Sequence, residues 1–296
     1  MRKARLFAIV GALGALLALP SASYGIVTIG SDLGDANSVG IACVGGTCTR
    51  VQTSLPADDQ MPGGVASTVN GTVVRWRIKS IASATQQPVA FRVISPAASG
   101  QFTGGGTSAT TTPPDIDGVT TFASSIPIKI GDLLGLNVNN NVNEYFGISA
   151  GPNSGQLFNP ALAQGSTRTP QNNTTEQLLV NADIEPTSKL TSVKKKAKKR
   201  GKVKLTIEVP NAGTLVAGDK KDKGVTAVAA AKKPTLVKNK RMQLTAPATV
   251  NLLLKPTKAA KSRLATGRTT KAKLKIVFTP TGGSPSSKLL QIKLKR

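Results

Sequence analysis

The sequence predicts an all-β protein of two antiparallel β-sandwich domains, the first jelly-roll-like and the second Ig-like, behind a signal peptide. Two observations predict the fold. Short segments of apolar–polar alternation recur along the chain, as half-buried strands require. Thr, Val, Ala, Gly and Ser dominate while aromatics are only 3% of residues, a mix that suits strands and turns over long helices. A third observation divides the chain. Residues 24–186 carry seven basic and eleven acidic side chains, a balance of −4, whereas residues 187–296 carry 29 basic and three acidic ones, a balance of +26. The expected organisation is a signal peptide over 1–23, an N-terminal sandwich over 24–186, a Lys-rich linker over 187–201 and a basic sandwich over 202–296.

Arg2, Lys3 and Arg5 precede an apolar run over residues 6–19, and Pro20-Ser21-Ala22-Ser23 follows it. A basic start, a short apolar stretch and small residues in that order read as a secretory leader, cleaved near Ser23 or Gly25. The run is shorter than the ~20 residues that span a bilayer, and no later segment is apolar enough to do so. The expected location is extracellular, at or near the cell wall.

Residues 26–29 alternate as a first strand and lead into a polar turn over residues 31–37. Its oxygen-bearing Asp32 and Asp35 suggest calcium, but the spacing does not match the EF-hand loop and the polar-turn reading is preferred. In Cys43-Val44-Gly45-Gly46-Thr47-Cys48 the Gly-Gly centre suits a tight turn with positive φ. An exported protein with this one pair of cysteines is expected to bridge them, a closure worth about 2 kcal/mol. Residues 69–79 form the clearest strand, with Val74, Trp76 and Ile78 on one face and Val73, Arg75, Arg77 and Lys79 on the other. Trp76 is read as a core anchor, with a sugar-stacking platform as the alternative. A second strand surrounds Phe91 and Val93.

Gly104-Gly105-Gly106-Thr107-Ser108 lacks the Gly-Lys-Ser/Thr ending of a phosphate-binding loop, and residues 104–114 read as a flexible surface loop. Ile126, Ile128 and Ile130 alternate up to a Gly131-Asp132 turn, and Leu134, Leu136 and Val138 alternate after it. Residues 137–143 hold five asparagines and read as a loop able to offer amides to a polar ligand. Leu178, Val180, Ala182 and Ile184 close the first body.

Four segments taken together resemble the N-terminal region of uncharacterised secreted proteins of high-GC Gram-positive bacteria. They are Cys43 to Cys48-Thr49, Gly71-Thr72-Val73-Val74-Arg75-Trp76-Arg77, Pro127-Ile128-Lys129-Ile130-Gly131-Asp132-Leu133-Leu134-Gly135-Leu136, and Leu178-Leu179-Val180-Asn181-Ala182-Asp183-Ile184-Glu185-Pro186. The resemblance covers the first body and implies no activity. In some relatives an acidic, calcium-binding repeat region follows this end; a basic domain follows here, so that association is not carried over.

Beyond the lysine run, Val203, Leu205, Ile207 and Val209 alternate with Lys202, Lys204, Thr206 and Glu208. Pro210-Asn211-Ala212-Gly213 turns the chain, Val250, Leu252 and Leu254 mark a later strand, and residues 257–264 form the one helical crossover. Ala272, Leu274, Ile276 and Phe278 oppose Lys271, Lys273 and Lys275, and Leu290, Ile292 and Leu294 oppose Lys293 and Lys295. This spacing resembles the Ig- or fibronectin-III-like modules of bacterial surface proteins.

Histidine is absent, which excludes Ser-His-Asp and Cys-His nucleophilic sites and every His-containing zinc site. No cofactor or metal is implied. The sequence therefore points away from an enzyme; a carboxylate hydrolase on Glu144 and Glu176, or on Asp58 and Asp59, is the weakest alternative. A lectin-like module with its ligand at residues 104–114 and 137–145 is a second. The leading reading rests on Lys194, Lys195, Lys196, Lys198, Lys199, Arg200, Lys271, Lys273, Lys275, Lys293 and Lys295. Cations this dense without acids suit anionic envelope polymers, such as teichoic acid or acidic polysaccharide. A dedicated nucleic-acid site is not expected, because stacking aromatics are missing from this body.

Overall fold

The structure, a computed structural model, describes residues 25–34, 37, 38, 43, 45–80, 82, 87–138, 146–148, 154–219, 234–267 and 269–296. The predicted signal peptide, Asp35, Glu144 and residues 139–145 of the asparagine-rich loop lie outside them. The described chain is built almost wholly of antiparallel strands, as the alternation predicts.

Residues before 187 form two facing sheets and a small third one of Asn37–Ser38, Phe146–Ile148 and Gln177–Leu178. The smaller of the facing pair runs in the order Val27–Gly30, Val180–Pro186, Gly71–Ser80 and Gly118–Ile128. The larger has Val89–Pro96, Leu133–Val138 and Cys48–Ser54 at its centre. Between the sheets, Val73, Ile78, Val180 and Ile184 meet Val89, Val93, Leu134 and Leu136. Trp76, 1% exposed, stacks on Phe91 and Phe122 with ring centroids 5.5 and 4.5 Å away. It is a core anchor and offers no face to a sugar. On the far side of the larger sheet Val51, Ile94, Leu133, Phe158 and Leu162 make a second, smaller core. Cys43 and Cys48 are bridged, and Gly45 and Gly46 between them take φ of 79° and 139°.

Three local expectations change. The alternation assigned to residues 69–79 slips at a bulge between Val73 and Arg75, so Val73 enters the core in place of Val74. A bulge adds one residue to one strand and inverts the facing of everything before it, which a periodicity count passes over. The glycine run is the strand Phe102–Thr107 and not a flexible loop. A Cβ on Gly104 would fall 2.3 Å from the Ala163 carbonyl oxygen, and one on Gly106 would fall 2.4 Å from Ile126 Cγ2. These glycines serve close packing. Asn137 belongs to the strand Leu133–Val138, where its Oδ1 accepts a 2.6 Å hydrogen bond from Thr49 Oγ1.

The outer face of the smaller sheet is tied by charge. Cross-strand register sets Thr28, Asp183 and Arg75 in one row and Asn181 beside Arg77. Arg75 Nε and Arg77 Nη2 donate to Asp183 Oδ2, the latter at 2.7 Å, and Thr28 Oγ1 donates to Oδ1 at 2.8 Å. Burial pushes the Asp183 carboxyl up, but the bonds from Arg77, Arg75 and Thr28 and the charge of Arg77 outweigh it and hold it at about 2. Lys79 Nζ donates to the Gly34 carbonyl oxygen at 2.8 Å, so all three cations of this strand are engaged.

Residues from 192 onward form a second pair of sheets around their own core. One has Ser192–Ala197, Val203–Val209 and Ala248–Leu254; the other has Lys240–Leu244, Gly213–Asp219, Thr270–Pro280 and Ser286–Leu294. Leu205, Ile207, Leu252, Leu215, Leu274, Ile276 and Phe278 fill the space between. The helix Lys258–Ala265 carries the chain from one sheet to the other, capped by Thr257, whose Oγ1 accepts from the Ala260 N–H at 3.3 Å. Ala260 and Leu264 are its buried side.

The lysine run is not a linker. Ser192–Ala197 pairs along its whole length with Val203–Val209, Lys195 opposite Leu205, and residues 198–201 are the tight turn between them. An edge strand needs apolar residues on only one face, and lysine is the side chain that keeps such an edge from pairing with another molecule. In composition alone such a strand looks like a linker.

Two outcomes follow from the N-terminal core and its charge cluster. Trp76→Ala should cost about 3–5 kcal/mol, because a large aromatic leaves a cavity its neighbours cannot close; urea unfolding followed by far-UV circular dichroism measures it. The Asp183 carboxyl sits below the ~3.9 of an unfolded aspartate. Its contribution is complete above about pH 5 and is lost progressively as pH falls through 2, about 2 kcal/mol in all. Unfolding midpoints measured from pH 6 to 2 should show that loss in the native chain and a shallower one in Asp183→Asn.

Candidate polyanion-binding surface

The expected polyanion-binding cations do not share one surface. Strand alternation sorts them first. Lys271, Lys273 and Lys275 are exposed while Ala272, Leu274 and Ile276 between them are buried, and Lys293 lies directly opposite Lys271. These four occupy the outer face of the four-stranded sheet. Lys194 and Lys196 stand opposite Thr206 and Lys204 on the outer face of the three-stranded sheet, with the sandwich between the two groups. Stacked sheets lie about 10 Å apart before side chains are added. That matches or exceeds a Debye length of ~8–10 Å at physiological salt. The two faces therefore act as separate fields.

Lys195 has a structural role. Its register points it toward the sandwich interior, and its Nζ turns to the open edge, donating to the Gln291 carbonyl oxygen at 2.6 Å. It bridges the two sheets. Lys198, Lys199 and Arg200 lie on the turn, exposed. The Gly201 N–H donates to the Lys295 carbonyl oxygen at 2.8 Å, which brings this turn against the end of the last strand. A Cβ on Gly201 would fall 2.6 Å from Leu264 Cδ1, so the helix packs there too. Its exposed Lys258, Lys261 and Arg263 join the same end. Sequence reasoning found that helix but left its cations out, because adjacency between residues 198–201 and 258–263 exists only in three dimensions.

Among the described residues no acid forms an ion pair with this charge: the ion pairs are Arg50–Glu176, Arg75–Asp183 and Arg77–Asp183, all in the N-terminal body. Lysines directly opposite one another, as Lys271 and Lys293 are, repel.

The alternative sites of the N-terminal body fare differently. Glu176 lies 3.8 Å from Arg50 and so is half of an ion pair; its proposed partner Glu144 is outside the described residues. Asp58 and Asp59 sit on the short turn Ala57–Asp59. Asp32 accepts from the Gly34 N–H at 2.9 Å, the bond of a polar turn. Of the two loops of the lectin-like reading, residues 104–107 are strand while 108–110 and 112–114 lie outside any strand, and residues 139–145 lie outside the described residues.

The two bodies meet at a joint that sequence reasoning missed. Asn211, 1% exposed, stands at the centre of the Pro210-to-Gly213 turn. Its Oδ1 accepts from the Asn70 N–H at 2.8 Å, and its Nδ2 donates to the carbonyl oxygens of Asn70 and Thr187 at 2.9 and 2.8 Å. Asn70 Nδ2 donates in return to the Pro210 carbonyl oxygen at 2.7 Å. Each amide thereby mimics a strand partner for the other body's backbone.

Neither the known protein families nor the curated proteins contain a match to this sequence. Among solved structures, one similar to the chain is a GH2 beta-galacturonidase from Eisenbergiella tayi bound to galacturonate, at 10% identity and a TM-score of 0.22. The similarity covers 90% of this chain and 44% of that one, so the chain spans less than half its length. A likeness that slight carries no site or activity across.

Asn211→Ala should strand the Asn70 backbone groups in a buried contact, at a cost of about 1–3 kcal/mol. A lower melting temperature together with a larger radius of gyration in solution scattering is the expected result.

Proposed function

We propose that this is a secreted, non-enzymatic binding or structural protein that adheres to anionic cell-envelope polymers, teichoic acid or acidic polysaccharide, through its basic C-terminal sandwich. The observation that carries the reading is the charge imbalance of this body: 29 basic residues against three acidic ones after residue 186. Solubility alone does not call for this. Interspersed signs would solubilise a β-sandwich equally well and repel less. Lysines on alternate positions of one strand stand roughly 6.5–7 Å apart, a row suited to a repeating anion. Such exposed cations act as a field, so affinity is set by charge density and screened by salt.

The test is retention of the whole mature chain on poly(glycerol phosphate) and heparin matrices across a salt gradient. Retention should fall steeply as salt rises, differ little between the two matrices and vanish when the lysines are acetylated. Retention indifferent to salt, or none at low salt, would sink the reading.

A further inference from the structure

The strands of the C-terminal sandwich all run between two poles, and the poles differ. At one, the turns after Val209 and Pro280 face the N-terminal body; Thr281 N–H donates to the Ala212 carbonyl oxygen at 2.9 Å beside the Asn70–Asn211 joint. The strand Thr270–Pro280 begins at the other pole, and eleven residues place its start roughly 35 Å away. There the turn at residues 198–201, the helix Lys258–Ala265 and the end of the last strand converge. The Lys198 N–H closes the turn on the Lys202 carbonyl oxygen at 2.8 Å, Gly201 binds Lys295, and Leu264 plugs the helix onto Gly201.

Among the described residues, exposed Lys198, Lys199, Arg200, Lys258, Lys261, Arg263 and Lys295 crown this pole. They come from three segments far apart in sequence, held together by backbone bonds and one buried leucine. The acid nearest by register is Asp219, opposite Leu274, and its carboxylate already accepts the Leu236 N–H. Among the described residues the pole presents no exposed large apolar side chain. The exposed large hydrophobics of this body, Leu253 and Leu289, lie on its sheet faces, and no aromatic side chain stands at the pole among the described residues. Surfaces that enter a bilayer present aromatic or leucine faces beside their cations.

We propose that the protein engages its polymer end-on, through this pole, and that the occupant is a hydrated linear polyanion and not a lipid surface. This rests on the polyanion reading above. The sheet-face lysines then add to the surrounding field without holding the polymer directly, and the N-terminal body is held clear of it on the far side of the joint.

Two variants of the whole chain separate the possibilities. One removes pole charge, Lys199→Gln with Lys258→Gln and Lys261→Gln; the other removes equal charge from a face, Lys271→Gln with Lys273→Gln and Lys275→Gln. All six side chains are exposed, and matched melting temperatures would show that both variants fold. Binding to soluble poly(glycerol phosphate) is measured by titration at several salt concentrations, with vesicles of anionic phospholipid as the second arm. The pole variant should bind about tenfold more weakly, and its salt slope should drop by roughly one unit per lost contact. The face variant should change by less than about threefold. Equal or greater loss in the face variant overturns the end-on geometry and leaves polyanion binding standing. Tighter binding to vesicles than to polymer assigns the pole to lipid and overturns the choice of occupant. If the unaltered chain binds the polymer without salt sensitivity, the polyanion reading itself fails, and this inference with it.

Discussion

Positive charge without partners can be carried by a small sandwich only where water reaches it, and the C-terminal body is arranged around that constraint. A buried ammonium lacking a partner costs several kcal/mol. Strand geometry meets the requirement by giving every second residue to solvent. Leu205, Leu274 and Leu294 go inward while Lys204, Lys273 and Lys293 go outward. Lys195 falls on the wrong phase for a cation, and its position at an edge rescues it: the stem lies along the sandwich while the ammonium finds the Gln291 carbonyl.

The N-terminal body handles charge in the opposite way. Arg75 and Arg77 share the buried Asp183, and Arg50 lies near Glu176. These pairs draw neighbouring strands together. One chain thus contains a body that spends its charges on its own sheet and another that leaves them facing solvent. The polar pairing at Asn70 and Asn211 joins the two without charge, so the joint neither adds to the field of the second body nor is weakened by salt that screens it.

That joint gives the second body a direction. Because the turns at residues 210–213 and 280–283 are covered by the first body, the pole free to meet another molecule is the one bearing residues 198–201 and the helix. Uniform lysine composition becomes a polarised object by this means. The edge lysines then have two roles that need not compete: they prevent strand addition at an open sheet edge, and they contribute to the potential near it.

Local periodicity was enough to read the all-β class, the inward faces of the C-terminal strands, the helical crossover and the cysteine bridge, because each depends on neighbours within a few residues. A period of two tells which lysines meet water, and a Gly-Gly centre between two cysteines needs no distant partner to turn. It also located the tryptophan core anchor, since Trp76 and Ile78 share a face. What alternation cannot show is pairing. Whether residues 192–197 are linker or edge strand depends on Val203–Val209 and the core behind it; whether Val73 or Val74 enters the core depends on a bulge against Gly118–Ile128. Glycines 104–106 read as loop until Ala163 and Ile126 press against them. Asn211 looked like an ordinary turn residue, since its role needs Asn70, far earlier in the chain. The basic pole was invisible for the same reason: sequence determines how much charge the chain carries and which side of each strand bears it, while only the packed chain decides which of those charges stand together.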